Sequence, residues 1–218
     1  MKKLSFIATI LLFIALFASA CSPDDSPSST PPPSTTGTVY SDEELAMYEQ
    51  QALILTEHFI IFSFHVDAID NTPADREIFD FMVTLPHYDD ELSHPYHNLY
   101  YRSDDETQAI YPLQDVQLMV YELFGINNWV YLEIPSAYSD GDPAFIIPLE
   151  IGSPVAPFSL HDATVSSSPD GTVTVDFMLT NTLFFEADSS EYGLYRVTFS
   201  VVEEDGRHFL RFIKYGAV

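Results

Sequence analysis

The sequence predicts an α+β domain, with N-terminal helices packed on a curved antiparallel sheet. Three observations lead there. Apolar residues recur every three to four positions through the first half of the domain, whereas after Gly125 the period changes to alternation among β-branched and aromatic residues. Two Asp-Gly turns, Asp170-Gly171 and Asp205-Gly206, then divide the last third into two hairpins.

The chain opens with Lys2 and Lys3, an uncharged apolar stretch from Leu4 to Phe17, and the small residues Ala18-Ser19-Ala20. A basic start, an apolar core too short for a comfortable span and a small-residue cleavage site together make an export signal over residues 1–20. Cys21 follows at once and is the single cysteine of the chain. With that cysteine the segment resembles a bacterial lipobox, although Ala18 stands where such motifs more often carry Leu. The resemblance implies cleavage before Cys21, diacylation of its thiol and a membrane anchor on the extracytoplasmic side of the cell membrane. Ala18-Ser19-Ala20 also satisfies the ordinary secretory rule, which would leave an exported protein with an unpaired thiol. In either case no intramolecular disulfide is possible, and the fold must rest on its core.

Residues 21–39 follow as a Ser/Thr/Pro spacer without a large apolar side chain from Ser22 to Thr38. At about 3.1 Å per residue in polyproline geometry, it would hold the folded domain on the order of 50 Å from the lipid. One globular domain is expected over residues 40–218.

Within that domain Ser41 and Glu44 form a capping-box signature, and Leu45, Tyr48, Ala52, Leu55, Phe59 and Phe62 line one helical face to about Phe64. A second helix is expected from Thr72, with Pro73 in its first turn and Ile78, Phe79 and Met82 inward, ending before Pro86. A third is expected with Pro112 as its first-turn proline, Val116, Met119, Val120 and Leu123 inward and Gly125 as its C-cap. Strands are predicted at Trp129–Ile134, Ala144–Glu150, Ala163–Ser167, Thr172–Leu179, Leu194–Val202 and His208–Tyr215. The helix ending Leu123-Phe124-Gly125 and the strands that follow, over residues 110–215, loosely resemble the cone-shaped NTF2-like and cystatin-like domains of exported bacterial lipoproteins. Architecture is what that resemblance implies; the fold hosts enzymes, carriers and interaction modules alike.

Without residues 1–20 the chain carries 6 basic against 33 acidic residues, a net charge of −27. Nucleic acids and anionic headgroups are polyanions bound through clustered Lys and Arg, so this balance argues against both as partners. Cations and basic peptides suit it better. No G-x-S-x-G elbow or glycine-rich phosphate loop occurs, and no cofactor is expected.

The most chemically suggestive stretch is Pro86–Glu106. His87, His94 and His97 are candidate metal ligands there, beside Asp89, Asp90 and Glu91, because imidazole and carboxylate are the donors a zinc-like ion takes. Pro95 inside the His94–His97 spacing makes that pair a loop, and most such acidic loops are solvated surface. Tyr96, Tyr100 and Tyr101 are candidate ligand-binding residues, since flat aromatic faces beside carboxylates suit sugars or cationic groups; a packed aromatic cluster has the same composition. His58 and His65 share a helix face, which fits a border of the core. Ser139-Asp140-Gly141-Asp142 falls short of a calcium loop and fits a turn. These readings favour a lipid-anchored envelope module that binds a polymer, peptide or protein. The alternatives are a cell-envelope hydrolase using a carboxylate pair or divalent metal, and a cation-dependent adhesin or sensor.

Overall fold

The computed structural model describes residues 39–60, 69, 70, 72–87, 93–149, 158–181 and 191–218. The export signal, Cys21, the spacer to Thr38, the helix tail at 61–64, His65, Asp89, Asp90, Glu91 and Glu150 lie outside the described residues, as does the side chain of His87. Thr38–Val218 is one compact unit, and the fold is mixed α+β, with three helices and two antiparallel sheets among the described residues.

Helix α1, Asp42–His58, begins as its residues dictate: Ser41 Oγ accepts the Glu44 amide at 3.3 Å, and the Glu44 carboxylate accepts the Ser41 amide at 2.8 Å. The Ser41 amide and the Ser41 hydroxyl, which donates to Glu44 Oε2 at 2.7 Å, hold the Glu44 carboxyl below its ordinary range. Leu45, Tyr48, Ala52 and Leu55 are buried along one side, and a π-type turn carries the buried stripe on through Phe59 and Ile60.

Helix α2, Asp75–Thr84, starts three residues later than the sequence suggests. Pro73 lies buried ahead of the helix, and the Ala74 amide donates to Glu77 Oε2 at 2.7 Å, so glutamate three positions on sets the first turn. Helix α3, Leu113–Phe124, runs from Pro112 in extended geometry to Gly125 at φ +72°, and buries the four residues expected of it.

The larger sheet is formed by β1 (Ile69–Asp70), β6 (Phe158–Ser167), β7 (Thr172–Asn181), β8 (Glu191–Glu204) and β9 (Arg207–Ala217) in the order β1-β9-β8-β7-β6, every neighbour antiparallel. Val173 faces Phe199, Val175 faces Val197 and Phe177 faces Tyr195 across the β7–β8 pair, and all six are buried. The alternation read from sequence is thus one continuous apolar face.

A second sheet corrects the expectation of a single one. It comprises β2 (Tyr101–Arg102), β3 (Gln108–Pro112), β4 (Tyr138–Ser139) and β5 (Ala144–Pro148), in the order β2-β3-β5-β4. Strand β2 and the turn after it fall in the acidic stretch Pro86–Glu106, where composition predicts a loop. The expected strand Trp129–Ile134 is absent: Trp129 and Tyr131 are buried while Val130 and Leu132 are exposed, so the alternation is real but no ladder forms. Side chains do the holding instead. Trp129 Nε1–H donates to Asp75 Oδ1 at 2.9 Å, Gln117 donates to the Trp129 carbonyl at 3.2 Å, and Tyr131 packs on Phe79 at 4.7 Å.

The β2–β3 and β6–β7 turns are the same device written twice. In Ser103-Asp104-Asp105-Glu106-Thr107, Asp105 Oδ1 accepts from Ser103 Oγ at 2.6 Å and from the Thr107 amide at 3.2 Å. In Ser168-Pro169-Asp170-Gly171-Thr172, Asp170 Oδ1 accepts from Ser168 Oγ and from the Thr172 amide. These bonds to the ionised form lower both carboxyls below their usual range. The fourth position is left-handed in each, Glu106 at φ 57° and Gly171 at φ 81°. Glycine fits that geometry and glutamate resists it, so Glu106→Gly should stabilise the protein by roughly 0.5 kcal/mol after its own unfolded-state entropy is counted. Urea denaturation measures this; a loss of stability would mean that the Glu106 side chain contributes something the turn geometry does not show.

One apolar core spans all three helices and both sheets. The rings of Phe59, Phe81, Phe124, Phe199 and Phe212 mesh at its centre, with adjacent centroids 4.2–6.2 Å apart. No described helix is long and apolar enough to cross a membrane.

Candidate functional site

His94 does not face solvent. It is 1% exposed, and its Nε2 lies 3.0 Å from Nδ1 of His58, itself fully buried at the end of α1. The two residues are far apart in sequence and meet because the turn after α2 folds back onto α1. Phe81 lies 4.2 Å from the His58 ring and 5.8 Å from that of His94, so the couple sits against apolar surface.

Backbone groups at both ends orient the protons of this couple. The Tyr96 amide can only donate, and it points at His94 Nδ1 from 3.1 Å. His94 therefore carries its hydrogen on Nε2 and donates to His58 Nδ1. His58 in turn carries its hydrogen on Nε2 and donates to Thr84 Oγ1 at 3.0 Å, while Thr84 donates to the Asp80 carbonyl at 2.7 Å. Four hydrogen bonds run in one direction through two neutral imidazoles. Burial holds both rings neutral: it lowers His58 well below the ordinary histidine value, with His94 adding to the effect, and it lowers His94 to about 4, with His97 adding.

Of the expected metal ligands, His94 and His97 are placed, and the side chain of His87 lies outside the described residues. Both ring nitrogens of His94 already have protein partners, and a metal ion could bind there only by displacing one. His97 belongs to the same turn, its Nδ1 3.0 Å from the His94 carbonyl. Among the described residues no three His, Cys, Asp or Glu side chains converge as a metal site.

The three tyrosines are not one surface. Tyr100 is buried against Tyr111 with ring centroids 5.3 Å apart, Tyr101 is 54% exposed on β2, and Tyr96 is half-buried. Burial, with the Glu122 carboxylate adding, raises the Tyr96 hydroxyl far above the ordinary tyrosine value, while Arg211 opposes it.

Glu122 and Arg211 belong to a second polar cluster, where α3 meets the β8–β9 hairpin. Arg211 Nη2 donates to the Tyr121 carbonyl at 3.2 Å and Nε to the Glu122 carbonyl at 3.3 Å, while its guanidinium lies 5.2 Å from the Tyr121 ring and 5.3 Å from the Phe209 ring. A cation thus meets the negative end of the helix dipole, as electrostatics favours. Arg207 pairs with Glu122 at 2.7 Å, and Tyr121 donates to Glu204 at 2.7 Å. Burial raises the Glu122 carboxyl despite the opposing Arg207 and Arg211. Sequence reasoning missed this cluster; the scarcity of basic residues was the available signal, because each cation then needs an assignment.

Arg76 with Asp80 and Arg196 with Asp176 are ion pairs at 2.9 and 2.6 Å. Four arginines therefore have acidic or carbonyl partners within the domain, and the outward-facing charge is dominated by carboxylates. No protein-family model matches the chain, and no curated protein or solved structure matches it either.

Proposed function

We propose that this protein is a lipid-anchored, extracytoplasmic interaction module. Cys21 carries the lipid, residues 22–39 act as a tether, and the domain over residues 40–218 presents an acidic surface to an envelope polymer or a protein partner. The observation that carries the reading is the run from Lys2 to Cys21, in which a basic start, an apolar core and a small-residue triplet end on the lone cysteine. The spacer after it fits a domain held away from a bilayer. An NTF2-like or cystatin-like cone is the architecture this reading favours.

Growth of the native bacterium with an alkynyl fatty acid tests the anchor. The wild-type protein should take up the label and sediment with membranes, whereas Cys21→Ser should lose the label and appear in the soluble fraction. An intact mass showing residues 1–20 retained on an unlabelled wild-type protein would sink the proposal.

A further inference from the structure

We propose that the His58–His94 couple is an acid-operated latch: uptake of one proton releases the turn from Ser93 to Tyr100 while the sheets stay folded. The inference stands apart from the anchor and holds wherever the protein resides.

The hydrogen-bond chain is closed at both ends by backbone groups that cannot change role. Tyr96 N–H always donates and the Asp80 carbonyl always accepts. Between them His94, His58 and Thr84 each accept one hydrogen and donate one. A proton added to His94 sits on Nδ1, directly against the Tyr96 amide hydrogen across 3.1 Å. A proton added to His58 sits on its Nδ1 and requires His94 Nε2 to accept, which again moves the His94 hydrogen to Nδ1. Both routes end in the same N–H against N–H conflict.

Relief falls on the turn because the alternative is buried in the core. His58 is anchored on α1 against Phe81. His94 sits in a short turn whose Ser93 and Asn98 are exposed, held by His97 N–H to the His94 carbonyl at 3.0 Å and Leu99 N–H to the Tyr96 carbonyl at 2.9 Å. Among the described residues, the groups around the couple belong to α2 and to the turn itself. Thr84 and Phe81 face it from α2, His97 and Tyr96 from the turn itself, and Tyr96 in turn faces Glu122 of α3 and Arg211 of β9. His97 opposes a charge on His94 rather than supporting it.

The sign follows from the folded state disfavouring the charged rings. Each histidine lies below its ordinary value when folded, so its contribution is fully present above pH 6.5 and is lost as pH falls through the folded value, which for His94 is about 4. With His94 at about 4 when latched and at the ordinary value when released, the open fraction of the turn should rise about 50-fold from pH 7 to pH 4.5.

Amide hydrogen exchange on the folded protein, corrected for the intrinsic pH dependence, reads this directly. Protection of the Tyr96, His97 and Leu99 amides should fall about 50-fold over that interval, while protection in the β7–β8 ladder should hold. In the non-titrating double variant His58→Gln with His94→Gln, the turn should show no such pH dependence. In case that variant fails to fold, ring ¹⁵N shifts of the wild type should show His58 and His94 as Nε2–H tautomers at pH 7 and then titrating together with the loss of protection. The latch is overturned by unchanged protection of the turn, by an equal fall in the ladder, by a fall that persists in the double variant, or by rings that stay neutral while the turn opens.

Discussion

Phe212→Ala should destabilise the protein by about 4 kcal/mol, the largest loss expected from a single substitution here. Phe212, on β9, is 2% exposed and meets Phe59 just after α1 at 6.1 Å, Phe124 of α3 at 6.2 Å and Phe199 of β8 at 6.2 Å between ring centroids. Truncation to alanine removes the transfer free energy of a buried ring and leaves a cavity whose walls belong to three separate elements. Those walls cannot all move inward together. Each lost edge contact adds roughly 0.5–1.5 kcal/mol to what area alone would give. Typical domains hold only about 5–15 kcal/mol in reserve, so much of the total is at stake. Urea denaturation should show a lower midpoint with an unchanged slope. A loss under about 1.5 kcal/mol would mean that the helices collapse onto the vacated space and that the ring mesh is not the junction described.

Gly171→Ala should cost about 3 kcal/mol, from two sources that can be separated. Gly171 has φ +81°, and a Cβ there would lie 2.7 Å from Cε2 of Tyr40 and 3.2 Å from Cβ of Val201. The first source is backbone strain, the second a collision with a packed ring. Gly206 supplies the control: its φ is +73°, but a Cβ there meets nothing within 4 Å. Gly206→Ala should therefore cost only about 1 kcal/mol, and the difference between the two variants is the steric part. Tyr40 packs edge-on against Tyr48 and His208, both at 5.9 Å, and stands next to the proposed tether. Relief by swinging Tyr40 outward would loosen the first described residues of the domain. Combining Gly171→Ala with Tyr40→Leu should recover at least about 1 kcal/mol as a coupling energy. Equal losses for the two glycine variants would show that Tyr40 yields freely and that the contact carries no stability.

Histidine chemistry shows how far a candidate site can be read in advance. His94 stood out because it lies among acids and other histidines, and that composition pointed to metal. His58 stood out for its spacing to His65. Nothing in the sequence joins His58 to His94, because helix α2 and the turn after it must first fold back onto α1. The orientation of the couple then comes from the Tyr96 amide and the Asp80 carbonyl, backbone groups that every residue but proline carries in full and none advertises. The carboxylates of Asp105 and Asp170 show the opposite case. A Ser-x-Asp-x-Thr spacing is local, and the same turn with the same bonds follows in both places.

Sequence alone determined the features governed by neighbours within a few positions. These are the capping box of Ser41 and Glu44, the left-handed end of α3 at Gly125 and the two C-terminal hairpins; the expected order of helices before strands does not hold, because β1 precedes α2, and β2 and β3 precede α3. Helical periodicity also told correctly that Leu45, Tyr48, Ala52, Leu55, Ile78, Phe79, Met82, Val116, Met119, Val120 and Leu123 turn inward. Tertiary structure decided everything that requires a distant partner: the second sheet, the pairing of Ile69–Asp70 with β9, the Arg211 cap on α3 and the meeting of His58 with His94. The division has one physical cause. Backbone dihedrals, caps and turns are settled by contacts a few residues long, whereas ladder hydrogen bonds and ring nitrogens take whichever partner the packed core brings within 3 Å.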